Sequence, residues 1–139
     1  MQAIGDSFMA VIDASVWIAW FRGDDKFHSQ AKQIIQSVIS SQEKISIPVI
    51  AFTEVGGVVK RTTQNMDDAW DAIRCMKKMK PEVFADFGKL EPIATKIAIN
   101  HSIRGADAYY VVVAEITRTK LFTFDKLQKD AFDAISDVW

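Results

Sequence analysis

The run Met9-Ala10-Val11-Ile12-Asp13-Ala14-Ser15-Val16-Trp17-Ile18-Ala19-Trp20-Phe21 constrains the fold more than any other stretch of the chain. Val11 and Ile12 are β-branched and suit a fully buried strand. A helix follows almost at once, with Val16, Ala19 and Trp20 on one face. A buried strand that hands over so quickly to a helix opens a βα unit, and βα units build parallel sheets covered by helices. Asp13 ends the strand, on the side where open α/β sheets form their ligand crevice, and Ser15 is spaced to cap the helix. A charge at that place is costly unless a cation or a donor meets it. For an isolated Asp, helix capping is sufficient reason.

The alternation continues along the chain. Gly23 offers a helix stop, and Asp24-Asp25 opens a second helix with Phe27, Ala31, Ile34, Ile35 and Val38 at helical spacing. Ile45-Ser46-Ile47 reads as a strand, and Pro48 as the start of a helix to about Arg61. Glu54 interrupts the apolar positions of that helix, and Gly56-Gly57 predicts close packing or a bend. A further helix, begun by Asn65 or Asp67, sets Met66, Ala69, Trp70, Ile73 and Met76 along one side. Val83-Phe84-Ala85 reads as a short strand, followed by a helix from about Leu90 that turns Ile93, Ala94, Ile97 and Ala98 inward. The segment from Ala106 to Thr117 is ambiguous. Tyr109-Tyr110-Val111-Val112-Val113 has strand propensity, yet it runs into Ala114-Glu115-Ile116 as a buried helix would. Leu121-Phe122-Thr123-Phe124 is a strand ending at Asp125, which also suits the cap of a helix from Lys126 to Phe132. Ile135 to Trp139 reads as a final edge strand, and Met1 to Phe8 as a loose lead-in. Strands alternating with helices over 139 residues, without repeats or linkers, predict one α/β domain over 1–139 with its core at about 10–133.

Four carboxylates stand out against this frame. Strands of a parallel sheet share their carboxyl edge, so Asp13 and Asp125 are expected to come together. Glu54 and Asp107 need only project from neighbouring helices to join them. Like charges so close repel, which raises their pKa values or requires a counterion. Oxygen ligands without a Cys or His cluster suit Mg²⁺ or Mn²⁺ rather than zinc. His28 and His101 lie far apart with no ligand spacing and read as surface or packing residues. The net charge of −1 gives no overall attraction for nucleic acid, so phosphate binding requires local basic groups or a metal.

Val11-Ile12-Asp13-Ala14-Ser15, Glu54 in a Pro48-led helix, Gly105-Ala106-Asp107-Ala108 and Thr123-Phe124-Asp125 together resemble a PIN domain. In size and order the chain is similar to the VapC-type ribonuclease toxins of toxin–antitoxin pairs, from about Ala10 to Phe132. The resemblance implies a three-layer α/β/α fold with a mostly parallel central sheet of four or five strands. It implies that the segment from Asp107 to about Thr117 is a helix, against its strand propensity. It further implies Asp13, Glu54, Asp107 and Asp125 as metal-binding catalytic acids, with Ser15 in support.

The expected activity is Mg²⁺- or Mn²⁺-dependent hydrolysis of RNA phosphodiesters by an endoribonuclease, with a small cognate antitoxin as partner. Arg104, immediately before the Gly105-Ala106-Asp107 segment, is the preferred contact for substrate phosphate among the basic residues. Trp17, Trp20, Trp70 and Tyr110 lie within apolar patterns and read as core. The large apolar residues on the helices (Trp17, Trp20, Phe27, Met66, Trp70, Met76) exceed what one small core accommodates and predict a homodimer. Cys75, the single cysteine, permits no internal disulfide, reads as a small buried hydrophobe and fits a cytoplasmic setting. No apolar run reaches the length of a membrane span, and the N-terminus lacks the pattern of a signal peptide. Two other PIN-fold readings stand beside the toxin: a solitary RNA-processing nuclease, and an inert RNA-binding or assembly module. A phosphatase that works through an aspartyl nucleophile fits less well, because the second Asp it needs two places after the first is Ser15 here.

Overall fold

The computed structural model describes residues 9–139; the lead-in expected over residues 1–8 lies outside them. Strand β1 (Met9–Ile12) is the axis of the fold. β2 (Lys44–Pro48) and β3 (Glu82–Phe84) lie successively on one side of it, and β4 (Lys120–Phe122) lies on the other, in the order β3-β2-β1-β4. All three pairings are parallel, with Ala10 opposite both Ile45 and Lys120. Ala10, Val11 and Ile12 are wholly buried, as a central parallel strand requires.

Between the strands run α1 (Ala14–Phe21), α2 (His28–Ser40), α3 (Ile50–Thr63), α4 (Met66–Lys78), α5 (Phe87–His101) and α6 (Gly105–Thr117), and α7 (Lys126–Ser136) follows β4. The steps from β1 to β2 to β3 go one way across the sheet, and the step from β3 to β4 returns past β1. Right-handed crossovers therefore put α1–α4 on one face and α5 and α6 on the other. The packing agrees: α1 lies against α2 and α3, and α3 against α4, while α6 covers β1, β2 and β4 and takes α5 and α7 on its outer side. The result is a three-layer α/β/α domain.

Burial resolves the ambiguous segment. Ala108, Tyr110, Val111, Val112, Val113 and Ala114 are wholly buried, because α6 is enclosed between the sheet and two other helices. A helix apolar on nearly all sides suits that place, and packing outweighs the small propensity cost of three successive valines.

Elsewhere the boundaries shift. Pro48 ends β2 instead of opening α3. Asp25 precedes α2 and accepts from the Phe27 backbone, and the helix begins at His28. α5 starts earlier than expected, at Phe87, with Asp86 as its cap. The final edge strand does not form. α7 runs to Ser136, and Trp139 folds back edge-on against Phe132 with ring centroids 5.7 Å apart. Trp70 is 56% exposed and not core, whereas Trp17 and Tyr110 are fully buried and Trp20 is half-buried. Cys75 is half-buried rather than buried.

Trp17 joins the first two elements. Its ring is fully buried, and its Nε1 donates to the Ile12 carbonyl at 3.1 Å. Trp17→Ala is expected to cost about 3–5 kcal/mol in urea unfolding, the range for deleting a large core aromatic. A loss below about 1 kcal/mol would contradict this account of the core.

Candidate active site

In an open α/β sheet the crevice forms outside the carboxyl ends of the strands where the strand order reverses. Here that point lies between β1 and β4, and both strands deliver an acid there. Asp13 follows β1 directly, with its backbone N–H bonded to the Phe122 carbonyl of β4 at 3.0 Å. The Asp13 side chain is 4% exposed and fully engaged. Its Oδ2 accepts from the Ser15 backbone at 3.0 Å and the Thr123 hydroxyl at 3.2 Å, while Oδ1 accepts from Nε2 of Gln128 at 3.1 Å. Asp13 is itself the N-cap of α1, the task expected of Ser15. The Ser15 hydroxyl instead accepts from the Phe124 backbone at 3.1 Å, tying α1 to the segment after β4.

Asp107 stands in the first turn of α6 and is 5% exposed. Arg104, the residue before that helix, grips it with Nε at 3.0 Å from Oδ2 and Nη2 at 3.3 Å from Oδ1. The Arg104 side chain is otherwise open to solvent. Glu54, in the second turn of α3, is half-buried and accepts from the Tyr110 hydroxyl at 2.7 Å. Tyr110 lies one turn beyond Asp107, so one helix carries an acid and the donor that holds another. Asp125 caps α7, accepting from the Gln128 backbone at 3.0 Å. Asp13, Ser15, Glu54, Arg104, Asp107 and Asp125 all line one pocket of about 300 Å³, joined there by Thr53 and Arg61. Asp86 and Glu115 lie outside it; Glu115 lines a separate hollow with His101.

The electrostatics follow from burial and crowding. Burial raises the Glu54 carboxyl above its ordinary value; the Tyr110 hydrogen bond pulls it back, and the charges of Asp13 and Asp107 push it up again. Burial likewise raises Asp107 against the pull of Arg104, with Asp13 and Asp125 adding to the rise. Burial and the neighbouring Glu54 hold the Tyr110 hydroxyl well above its usual range, so it stays a neutral donor.

Four carboxylates and two guanidinium groups leave the pocket short of positive charge. All four acids are hard oxygen donors, the set that suits Mg²⁺ or Mn²⁺. Among the described residues, no three acid, His or Cys groups are gathered closely enough to hold an ion as they stand. Arg104 takes both oxygens of Asp107 in this arrangement. The donor chemistry fits a divalent cation, with Asp13, Glu54, Asp107 and Asp125 as the groups that would hold it.

Three residues that hold the acids carried no mark in the sequence as site residues. Tyr110 read as core, which it also is. Thr123 lay inside the Thr123-Phe124-Asp125 segment without a role of its own. Gln128 is wholly buried on a helix whose other inward positions are Ala131 and Phe132, and a polar residue in that stripe was the available signal.

A model of the PIN domain matches residues 10–132 of the chain. Among solved structures, the fold is similar to the crystal structure of VapC20 from Mycobacterium tuberculosis, described as a Sarcin-Ricin loop cleaving toxin. The two share 19% identity and a TM-score of 0.75, over 88% of this chain and 94% of that one. Comparison with curated protein sequences gives no match.

The raised carboxyls have a consequence for stability. Between its ordinary value of 4.5 and its raised value, Glu54 binds more protons in the folded chain than in the unfolded one. Folding stability therefore falls as pH rises through that window, and the loss is complete above it. Asp107 acts in the same direction. Glu54→Gln keeps an acceptor for Tyr110 and removes the buried charge. In chelator at pH 7 it should be more stable than wild type, with a flatter pH dependence of stability above pH 4.5. A variant less stable than wild type at pH 7 would refute this account.

Proposed function

The chain belongs to the PIN-domain family, and from that premise we propose that it is a Mg²⁺- or Mn²⁺-dependent endoribonuclease acting as the toxin of a toxin–antitoxin pair in the cytoplasm. The observation that carries this reading is the convergence of Asp13, Glu54, Asp107 and Asp125 in one pocket at the carboxyl edge of the sheet. An inert module has no need of four acids kept together against their mutual repulsion. The likeness of the fold to a toxin favours that role over a solitary processing nuclease.

The reaction is hydrolysis of an RNA phosphodiester. A water oxygen attacks phosphorus in line with the departing 3′-oxygen, leaving a 3′-hydroxyl and a 5′-phosphate. When bound, a divalent ion supplies a lowered water pKa and offsets the charge on the phosphate. The chain's own residues do the rest. Ser15, Thr123 and Gln128 fix the Asp13 carboxylate by hydrogen bonds from three directions. Tyr110 engages Oε1 of Glu54 and so orients that carboxylate, which leaves Oε2 for the ion or its water. Arg104, open to solvent beyond its pair with Asp107, is able to exchange that partner for a substrate phosphate, and Arg61 lines the same pocket.

The partner reading rests on two neighbouring features. Next to the acid pocket, and sharing Thr53 with it, lies a groove of about 500 Å³ whose apolar lining includes Phe52, Met66, Trp70 and Ile73. Met66 and Trp70 are 61% and 56% exposed. An amphipathic antitoxin segment would lay its apolar face in that groove and reach the acids with a basic side chain. The exposed apolar surface is also the ground for expecting a homodimer.

Asp13→Asn and Asp107→Asn test the chemistry. Each keeps shape but loses the charge that attracts the ion, and each should reduce Mg²⁺-dependent cleavage of single-stranded RNA by at least about 100-fold with the circular dichroism unchanged. Full activity in both, with contaminating nuclease excluded, would end the metal–acid reading. Induced expression of the wild-type chain alone should arrest growth, and coexpression of its genomic neighbour should relieve the arrest. Unimpaired growth with abundant, folded protein would favour the processing nuclease. Light scattering should give the dimer mass, and a monomer mass over a wide concentration range would count against the pairing.

A further inference from the structure

Gln128 lies in the first turn of α7, three residues after Asp125, and is wholly buried. Its Nε2 donates to Oδ1 of Asp13 at 3.1 Å and to the main-chain carbonyl of Asp107 at 3.0 Å. Its backbone N–H donates to Oδ1 of Asp125 at 3.0 Å. One residue thus links three of the four acids, and with them the end of β1, the first turn of α6 and the start of α7.

Chemistry fixes the direction of the amide. Both groups facing its nitrogen are acceptors only, so a flipped amide would set Oε1 against two oxygens. Oε1 points the other way, is buried, and has no hydrogen-bond partner among the described residues. A buried carbonyl left unpaired is destabilising, and an apolar residue of similar size would avoid that cost. Packing alone does not select glutamine here. What the amide supplies is a donor to Asp13, and among the described residues it is the one donor that reaches Oδ1, since Ser15 and Thr123 both bond Oδ2.

We infer that Gln128 is a positioning residue of this site: its amide sets the plane of the Asp13 carboxylate and ties it to the main chain at Asp107, so that Asp13 keeps a fixed place relative to the first turn of α6 when a divalent cation binds. The inference rests on the metal-dependent nuclease reading above. Gln128 holds Asp13, Asp107 and Asp125 from behind without itself lining the pocket, so it should govern ion affinity and turnover while leaving substrate binding alone.

The test uses the full chain with Gln128→Met, which keeps length and volume but cannot donate. Gln128→Asn, an amide too short to span both partners, is the second variant. Mn²⁺ binding to the metal-free protein, measured by calorimetry without RNA, should weaken by about 10–100-fold in both, the range for loss of a residue that orients a metal ligand. kcat should fall with it and KM for RNA should stay at the wild-type value. The Tm of Gln128→Met should fall only modestly, because removal of the unpaired carbonyl offsets part of the loss of the donor to Asp13. Folded variants with wild-type Mn²⁺ affinity and kcat would overturn the inference, as would failure of both variants to fold, which would make the residue structural. A wild-type protein that neither binds Mn²⁺ nor cleaves RNA would instead overturn the nuclease reading and this inference with it. A wild type that does both, matched by its variants, would overturn this inference alone.

Discussion

The charge of Asp13, buried at the end of the central strand, is the constraint around which the rest of the structure is arranged. An ionised carboxylate taken out of water is strongly unfavourable unless donors replace its hydration. Three donors do so, and they come from three parts of the chain: Ser15 at the start of α1, Thr123 after β4, and Gln128 on α7. Satisfying one carboxylate therefore requires the β1–β4 pairing, the turn after β4 and the docking of α7 to be in place together. The register that puts Ile12 opposite Phe122 is what brings Thr123 within reach.

The same economy governs the other acids. Glu54 and Asp107 are each held by a residue that meets the charge without abolishing the pocket's negative character. Tyr110 is a neutral donor that burial keeps protonated, so it orients Glu54 without adding a positive charge. Arg104 does add one, but from a side chain mostly in solvent, where an ion pair contributes little and is easily exchanged. The acids nearest the sheet are fixed by neutral hydrogen bonds, and the mobile countercharge sits at the rim. That division suits a site whose countercharge must change when substrate arrives.

What the sequence made legible was local in character. The strand–helix handover at Asp13, the helical spacing of α2 and α4, and the acids that follow β1 and β4 are all visible within a dozen residues. The α/β class with a mostly parallel sheet followed from them, and so did the expectation that Asp13 and Asp125 share an edge, whereas the three-layer arrangement came with the family resemblance. What escaped was set by distant partners. Nothing near Gln128 in the chain announces Asp13, 115 positions away. Tyr110 carries both a core face and a functional hydroxyl, and an apolar pattern reveals only the first. The valines of α6 read as a strand because enclosure on all sides is a property of the assembled layers. Pro48 and the Ile135–Trp139 tail misled for a simpler reason: Pro is tolerated at a strand end as well as at a helix start, and an apolar tail packs as readily on a helix as beside a sheet.

The distribution of unfavourable features also separates function from folding. The hydrophobic core is continuous through β1, α1 and the part of α6 beyond Asp107. The raised carboxyls and the unpaired carbonyl of Gln128 lie instead at the carboxyl edge of β1 and β4. A sequence shaped only for stability would place apolar or neutral residues at these positions, and marginal proteins gain readily from such replacements. The buried Ser46 hydroxyl of β2 is also unpaired among the described residues, but the raised carboxyls gather in one pocket, the pattern expected when a site is kept poised for a ligand at the expense of the apoprotein. Binding of a cation there would relieve the repulsion among the acids and stabilise the fold by mass action.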